Sequence, residues 1–182
     1  MARKESVTRE YLFDTAFKLV REEGIEQVTA RKLAARAGCS TQPIFRVYSS
    51  MEELLKELFE RGIEYFEEFY NRSPGYDDTP FVNLGVAYIR FAREEPNLFQ
   101  LLFLSKKRYN KSLYDILNGR LGAVGREVAR AKMEGCKNAE QIFMNMWIFI
   151  HGAACMSTTG DYDLEMQDTI EMLKNAYQGF GS

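Results

Sequence analysis

The stretch TARKLAARAGCSTQPIFRVYSSMEELL, Thr29 to Leu55, decides how this chain folds. Thr29 stands where an N-cap accepts the first free N–H groups, and Ala30 to Ala37 follows as a short helix. Leu33, Ala34 and Ala37 share its inward face, and the alanines are small enough for a neighbouring helix to come close. Gly38 then supplies the sharp turn, with left-handed geometry open to it at no steric cost. Ser40 is placed to cap a second short helix, Thr41 to Val47, through the N–H of Gln42, because Pro43 in the first turn has none to offer. Ser50, with Glu53 three residues on, has the spacing of a capping box and opens a third, longer helix. The pattern is helix, tight turn, helix, with a long helix leaving it.

A helix set across its neighbour in this way presents its first turn outward, at a width that fits the major groove of DNA. The residues that turn presents are Thr41, Gln42 and Pro43, with Arg46 one turn further. Gln has the donor–acceptor pair to read adenine, and Arg the fork to read guanine. Around them, Arg3, Lys4, Arg9, Thr29, Arg31, Lys32, Ser40 and Tyr48 are candidates for phosphate contact; Thr29 and Ser40 sit at helix N-termini, and Arg3 and Lys4 lie in a flanking arm. Of the two aromatics, Phe45 is expected in the core and Tyr48 more open, its hydroxyl within reach of a phosphate. Charge agrees with this reading: residues 1–50 carry nine Lys or Arg against six Asp or Glu, while the remainder carries 15 against 20. A small basic module thus precedes an acidic body, although the net charge of the whole chain is only −2.

Outside the motif the pattern remains helical. Leu12, Phe13, Ala16, Phe17, Leu19 and Val20 give one apolar stripe to a first helix over Thr8–Glu23, capped by Thr8 and stopped by Gly24. Leu55, Leu58, Phe59, Gly62, Ile63, Phe66, Phe69 and Tyr70 extend the helix that Ser50 opens. Asn71–Pro80 clusters loop formers, and beyond it helices are expected over 81–94, 97–105, 112–133 (loosened by Gly119, Gly122 and Gly125), 139–158 and 164–177. No strand pattern competes, so the fold class is all-α, about nine helices in all. The expected division is a helix-turn-helix domain over 1–50, a connecting helix over 51–70 and a C-terminal bundle over 71–182.

Composition excludes several classes. With 182 residues, 46% apolar and 27% charged, the chain is long enough for a substantial core and unlike a disordered one. Its three cysteines, Cys39, Cys136 and Cys155, form no pair motif, which argues against a disulfide framework or zinc site and for a reducing, cytoplasmic setting. Met1–Glu10 is too polar for a signal peptide, and Ile142–Met156 is too short for a membrane span. One histidine, no glycine-rich phosphate loop and no nucleophile elbow leave no recognisable catalytic set, so neither enzyme activity nor a cofactor is expected.

Gly24, Thr29, Ala37, Gly38, Ser40, Phe45, Tyr48, Ser50 and Glu52 fall in the register of the N-terminal motif of TetR-like transcriptional regulators, which residues 8–60 resemble. AREEPNLFQLLF, Ala92–Phe103, and WIFIHG, Trp147–Gly152, are similar to a subgroup of that family known for its Trp, His and Gly. Two positions depart from the motif: Met51 stands where a lysine is usual, and Val47 where a polar residue is, so fewer phosphate anchors are expected. The resemblance implies a ligand-responsive repressor that leaves its double-stranded operator when a small molecule binds the C-terminal domain. It also implies a cavity, for which Tyr88, Phe91, Phe99, Phe103, Tyr114, Phe143, Met144, Trp147 and His151 are the candidates. By spacing alone, Phe143, Trp147 and His151 share one helix face and read first as packed core. The helix over 139–158 is apolar almost all round, more than one chain easily covers, so a two-fold homodimer is expected through Met146, Phe149, Ala153, Met166, Ile170 and Leu173. The alternative is a dimeric helical interaction protein that has kept this fold and lost DNA binding.

Overall fold

The computed structural model describes residues 7–181, and every described element is helical. In order these are α1 (Arg9–Glu23), a 3-10 turn (Ile25–Gln27), α2 (Ala30–Arg36), α3 (Gln42–Val47), α4 (Met51–Arg72), α5 (Val82–Glu94), α6 (Pro96–Phe99, continuing as a π-turn over Gln100–Leu104), α7 (Leu113–Asn118), α8 (Ala123–Met133), α9 (Ala139–Thr159) and α10 (Met166–Gly181). Arg3 and Lys4, expected near phosphate, lie outside the described residues. The helix expected over 112–133 is two. Gly119 and Gly122 both adopt positive φ, 59° and 70°, which ends α7 and restarts the chain as α8. A capping box fixes the start of α7, with Ser112 Oγ accepting from Asp115 N and the Asp115 carboxylate accepting from Ser112 N.

The chain gathers into two compact units, Met1–Gly62 with Asn97–Asn110, and Ile63–Pro96 with Lys111–Ser182. In the first, Leu12, Ala16, Leu19 and Val20 of α1 are fully buried together with Leu33 of α2, Ile44 of α3 and Leu54, Leu58 and Phe59 of α4. Thr8 caps α1 through Tyr11 N, and Thr29 caps α2 through Lys32 N. The 97–110 segment adds Leu98, Phe99, Leu101, Leu102 and Phe103 to this core. Its Asn97 side chain donates to the Arg21 carbonyl at 2.8 Å, tying down the end of α1. Gly62 lets α4 lie close to the segment: a Cβ there would stand 3.2 Å from Leu102 Cδ2.

The second unit is built on α5, which packs on α9 and α10, with α8 against α9. Gly85 sets the closeness of that packing, since a Cβ at this position would meet Ile150 Cδ1 at 2.8 Å and Leu173 Cδ1 at 3.0 Å, both side chains buried. The loop before α5 is pinned by side chains. Asn83 Oδ1 accepts from the backbone N–H of Tyr76 and Asp77, and Asp77 pairs with Lys174 at 2.8 Å. Phe81 begins α5 in left-handed geometry, φ 66°, its N–H donated to the buried Glu127 carboxylate at 2.6 Å.

Filling the Gly85 notch tests this arrangement. Gly85→Leu is expected to destabilise the fold by about 1–3 kcal/mol through overpacking. Thermal denaturation should show this as a fall in Tm of roughly 2–12 °C, at about 2–4 °C per kcal/mol for a chain of this size.

Candidate nucleic-acid interface and body cavity

The helix-turn-helix is held by its turn. Cys39 N bonds Ala34 O at 3.0 Å and Gly38 N bonds Ala35 O at 3.3 Å, a Schellman ending that requires the positive φ of 65° seen at Gly38. No atom lies near the Cβ that Gly38 lacks, so backbone conformation, not space, calls for glycine there. From this turn α3 leaves with Ile44 and Tyr48 facing inward, 0% and 1% exposed. Thr41, Gln42, Phe45 and Arg46 are exposed and Pro43 is half-buried, so the residues expected to read bases do share an outward surface. Gln42 and Arg46 make no side-chain hydrogen bond or ion pair among the described residues, and neither does Arg31 on α2.

Three expectations for this face change. Tyr48 and Phe45 exchange roles: Phe45 is 53% exposed, whereas Tyr48 is buried, its hydroxyl without a partner among the described residues. The reason is helical phase, since Tyr48 lies four residues after the core residue Ile44 and so on the same face. Burial raises the Tyr48 pKa, and the Arg9 guanidinium covers its ring at 4.7 Å from the centroid. Second, α3 has no side-chain cap: Thr41, not Ser40, is the N-cap residue, its backbone already helical, and its carbonyl accepts from Ile44 N and Phe45 N. Third, Lys32 is paired with Glu23 and Gln27, and Arg9 with Glu57 and Glu53. Arg36, the other cation of α2 on this side, is paired with Glu22 and Glu23. Three of the cations counted in the sequence are thus already neutralised locally, while Arg31 and Arg46 are not. The helix start after the turn follows the expected logic with one shift: Ser50 Oγ accepts from Glu53 N, while the Glu53 carboxylate accepts from Ser49, not Ser50.

The second unit encloses a cavity lined by Phe81, Leu84, Gly85, Tyr88, Leu117, Phe143, Met146, Trp147 and Ile150, with a volume of about 10 Å³. That is room for one water at most. Of the expected lining residues, Tyr88, Phe143 and Trp147 are present and His151 adjoins them, its Nδ1 2.9 Å from the Tyr88 hydroxyl. Phe143 and Trp147 stack at 5.9 Å, and Tyr114, itself exposed, meets Phe143 edge-on. Phe91 packs instead against Phe66 and Phe69, Met144 points to solvent, and Phe99 and Phe103 belong to the first unit, so these four do not line the cavity. Sequence reading missed Phe81, Leu84 and Gly85, although they lie one and two helical turns before Tyr88 on its own face.

The polar rim of this cavity is uncharged. Burial pushes the Tyr88 hydroxyl well above its ordinary pKa, lowers that of His151 and raises that of Cys155, whose sulfur lies 3.6 Å from His151 Nε2. The Trp147 indole N–H acts against this rise at Tyr88, yet makes no hydrogen bond of good geometry and is a buried donor left open. Among the described residues no group of three His, Cys, Asp or Glu could hold a metal, and no helix is long and apolar enough to cross a membrane.

The expected dimer residues also move. Met146, Ala153, Ile170 and Leu173 are buried inside the chain, in the unit where α9 and α10 pack on α5. Met166 is half-buried and Phe149 stays exposed. The apolar strip that α9 leaves uncovered is Met144, Ile148, Phe149 and Met156, with Phe180 of α10 edge-on to Phe149. Ile148 is 66% exposed.

A three-helix head with an open polar reading face and a helical body with an apolar cavity define a helix-turn-helix regulator. Residues 12–58 match the family model of bacterial regulatory proteins, tetR family, and residues 81–178 match that of the tetracyclin repressor-like C-terminal domain. The chain belongs to the tetR family and is a DNA-binding regulator of transcription. Solved structures agree on the fold. A TetR family protein from Vibrio parahaemolyticus is 19% identical with a TM-score of 0.67, covering 93% of this chain and 96% of its own. A TetR transcription regulator from Haloarcula marismortui is 18% identical with a TM-score of 0.64, covering 93% and 96%. RolR in complex with resorcinol is 17% identical with a TM-score of 0.60, covering 96% and 92%. No curated protein matches.

His151 is the only histidine, so titration between pH 5 and 7 isolates it. Because burial disfavours its imidazolium, its folded pKa lies below 6.5, and the unfolded chain takes up the proton first as pH falls. Stability is therefore lost as pH drops below about 6.5 and is unaffected by this group above it. Thermal melts at pH 7.5 and 5.5 should show a larger fall in Tm for the wild type than for His151→Gln; equal falls would remove the assignment.

Proposed function

We propose that the protein is a homodimeric cytoplasmic repressor without enzymatic activity, which holds a two-fold operator through α3 and releases it when a small molecule opens the cavity of the second unit. The observation that carries this reading is the outward face of α3, where Gln42 and Arg46 stand exposed and unpaired while the neighbouring cations Lys32 and Arg36 are already neutralised by glutamates. Donors exposed together on one helix face and tied to no protein acceptor can exchange their water for base edges without breaking an internal bond. Thr41, Gln42, Pro43 and Arg46 form the base-reading set, with Thr29, Arg31 and Ser40 beside it, and Arg3 and Lys4 complete the phosphate contacts from the N-terminal arm.

The effector that suits the cavity is small and largely apolar, with an acceptor for the free Trp147 N–H. Resorcinol, the ligand of the RolR structure, is a molecule of that size. Since the cavity holds about 10 Å³, the effector must bind a more open conformer and shift the population toward it. Because α4 supplies residues to both units, it is the element on which such a shift would act. The uncovered strip of Ile148, Phe149, Met156 and Phe180 is the proposed homodimer face in place of the buried Met146, Ala153, Ile170 and Leu173.

Fluorescence anisotropy with DNA from upstream of the protein's own gene tests the reading. Specific binding should weaken with salt at a slope of roughly −5, as six phosphate contacts per dimer imply. Arg46→Ala should cost roughly 10- to 100-fold on the operator and relax specificity at one base per half-site while leaving the fold intact. Absence of binding at low salt would instead leave the helical interaction protein as the reading. In light scattering the wild type should weigh twice 21.1 kDa and Ile148→Glu, which buries a charge in the proposed face, should weigh 21.1 kDa. An unchanged dimer would move the interface elsewhere. Compounds that raise Tm and also release the operator identify the effector class.

A further inference from the structure

Phe45 has no structural occupation on α3. The core-facing positions of that helix are taken by Ile44 and Tyr48, and Phe45 is left 53% exposed beside Gln42, three residues back, and Arg46, the next residue. It has no aromatic neighbour or cation over its ring among the described residues. A phenyl ring cannot hydrogen-bond a base edge or a phosphate, so it adds nothing to the polar reading done by its neighbours. What it can do in a major groove is pack against the one apolar group a base pair offers there, the 5-methyl of thymine. The six-residue length of α3 places all its exposed side chains within one and a half turns, so a ring flanked by two base-reading residues meets the same few base pairs as they do.

We infer that Phe45 is a specificity-determining residue, its ring packing on the 5-methyl group of one thymine in each half-site of the operator. This rests on the DNA-binding reading of α3 and adds to it a base that neither Gln42 nor Arg46 would select. Loss of one buried methyl corresponds to about a fourfold loss of affinity per half-site.

The test uses a duplex selected by the full-length wild-type protein from a random-sequence pool. Each half-site thymine is then replaced in turn by uracil, which removes only the methyl. The selected site should contain a thymine whose replacement weakens wild-type binding about fourfold per half-site. With Phe45→Ala that penalty should vanish, while Phe45→Leu, which keeps an apolar surface, should retain part of it. Circular dichroism and melting of both variants check that the exposed substitution leaves the fold unchanged. A selected site without half-site thymines, or uracil penalties equal in the wild type and Phe45→Ala at every thymine, overturns the proposal while leaving operator binding standing. Failure to select any site overturns the DNA-binding reading and this proposal together.

Discussion

The left-handed turn at Gly38 is the constraint on which the DNA-facing half of the molecule depends. It closes α2 with paired backbone hydrogen bonds to Ala34 and Ala35 and sends α3 off at an angle that buries Ile44 and Tyr48. Once those two side chains are inside, helical phase leaves no choice for the rest: Gln42, Phe45 and Arg46 must face solvent. An alanine at position 38 would have room for its methyl and still be strained, because the cost lies in φ. The exposed face of α3 is therefore a by-product of core packing on the opposite side of a six-residue helix.

The second unit is governed by a comparable economy around Gly85. A missing side chain brings α5 against Ile150 and Leu173, and this close approach shrinks the space among α5, α7 and α9 to a volume that excludes any organic ligand. What remains is an apolar cleft with a neutral polar edge, where Tyr88 and His151 satisfy one another and Trp147 keeps an unsatisfied donor.

Electrostatics separates the two halves less than the charge count suggests. Residues 1–50 carry a net positive charge, yet Glu22, Glu23, Glu53 and Glu57 hold Lys32, Arg36 and Arg9 in exposed pairs. Such pairs are worth little individually and exchange readily for phosphate. Arg31 and Arg46, by contrast, have no such partner among the described residues.

By itself the amino-acid sequence determined the helical class, most of the helix caps and the turn, but not the break between α7 and α8 or the uncapped start of α3. Thr8, Thr29, Ser50, Ser112, Gly24 and Gly38 act locally, through hydrogen bonds and φ preferences that span no more than a few residues. It also marked α3 as the second helix of a helix-turn-helix, because the family register is short and contiguous. Tertiary structure alone decided everything that turns on which face of a helix is inside. It sent Tyr48 inward and Phe45 outward, put Met146 and Leu173 in the core and left Ile148 bare, and assigned Phe99 and Phe103 to the first unit. The reason is that α9 is apolar on nearly every side, and Phe45 and Tyr48 are alike in hydrophobicity. Periodicity can locate an apolar face only where a polar one opposes it, and elsewhere packing must choose.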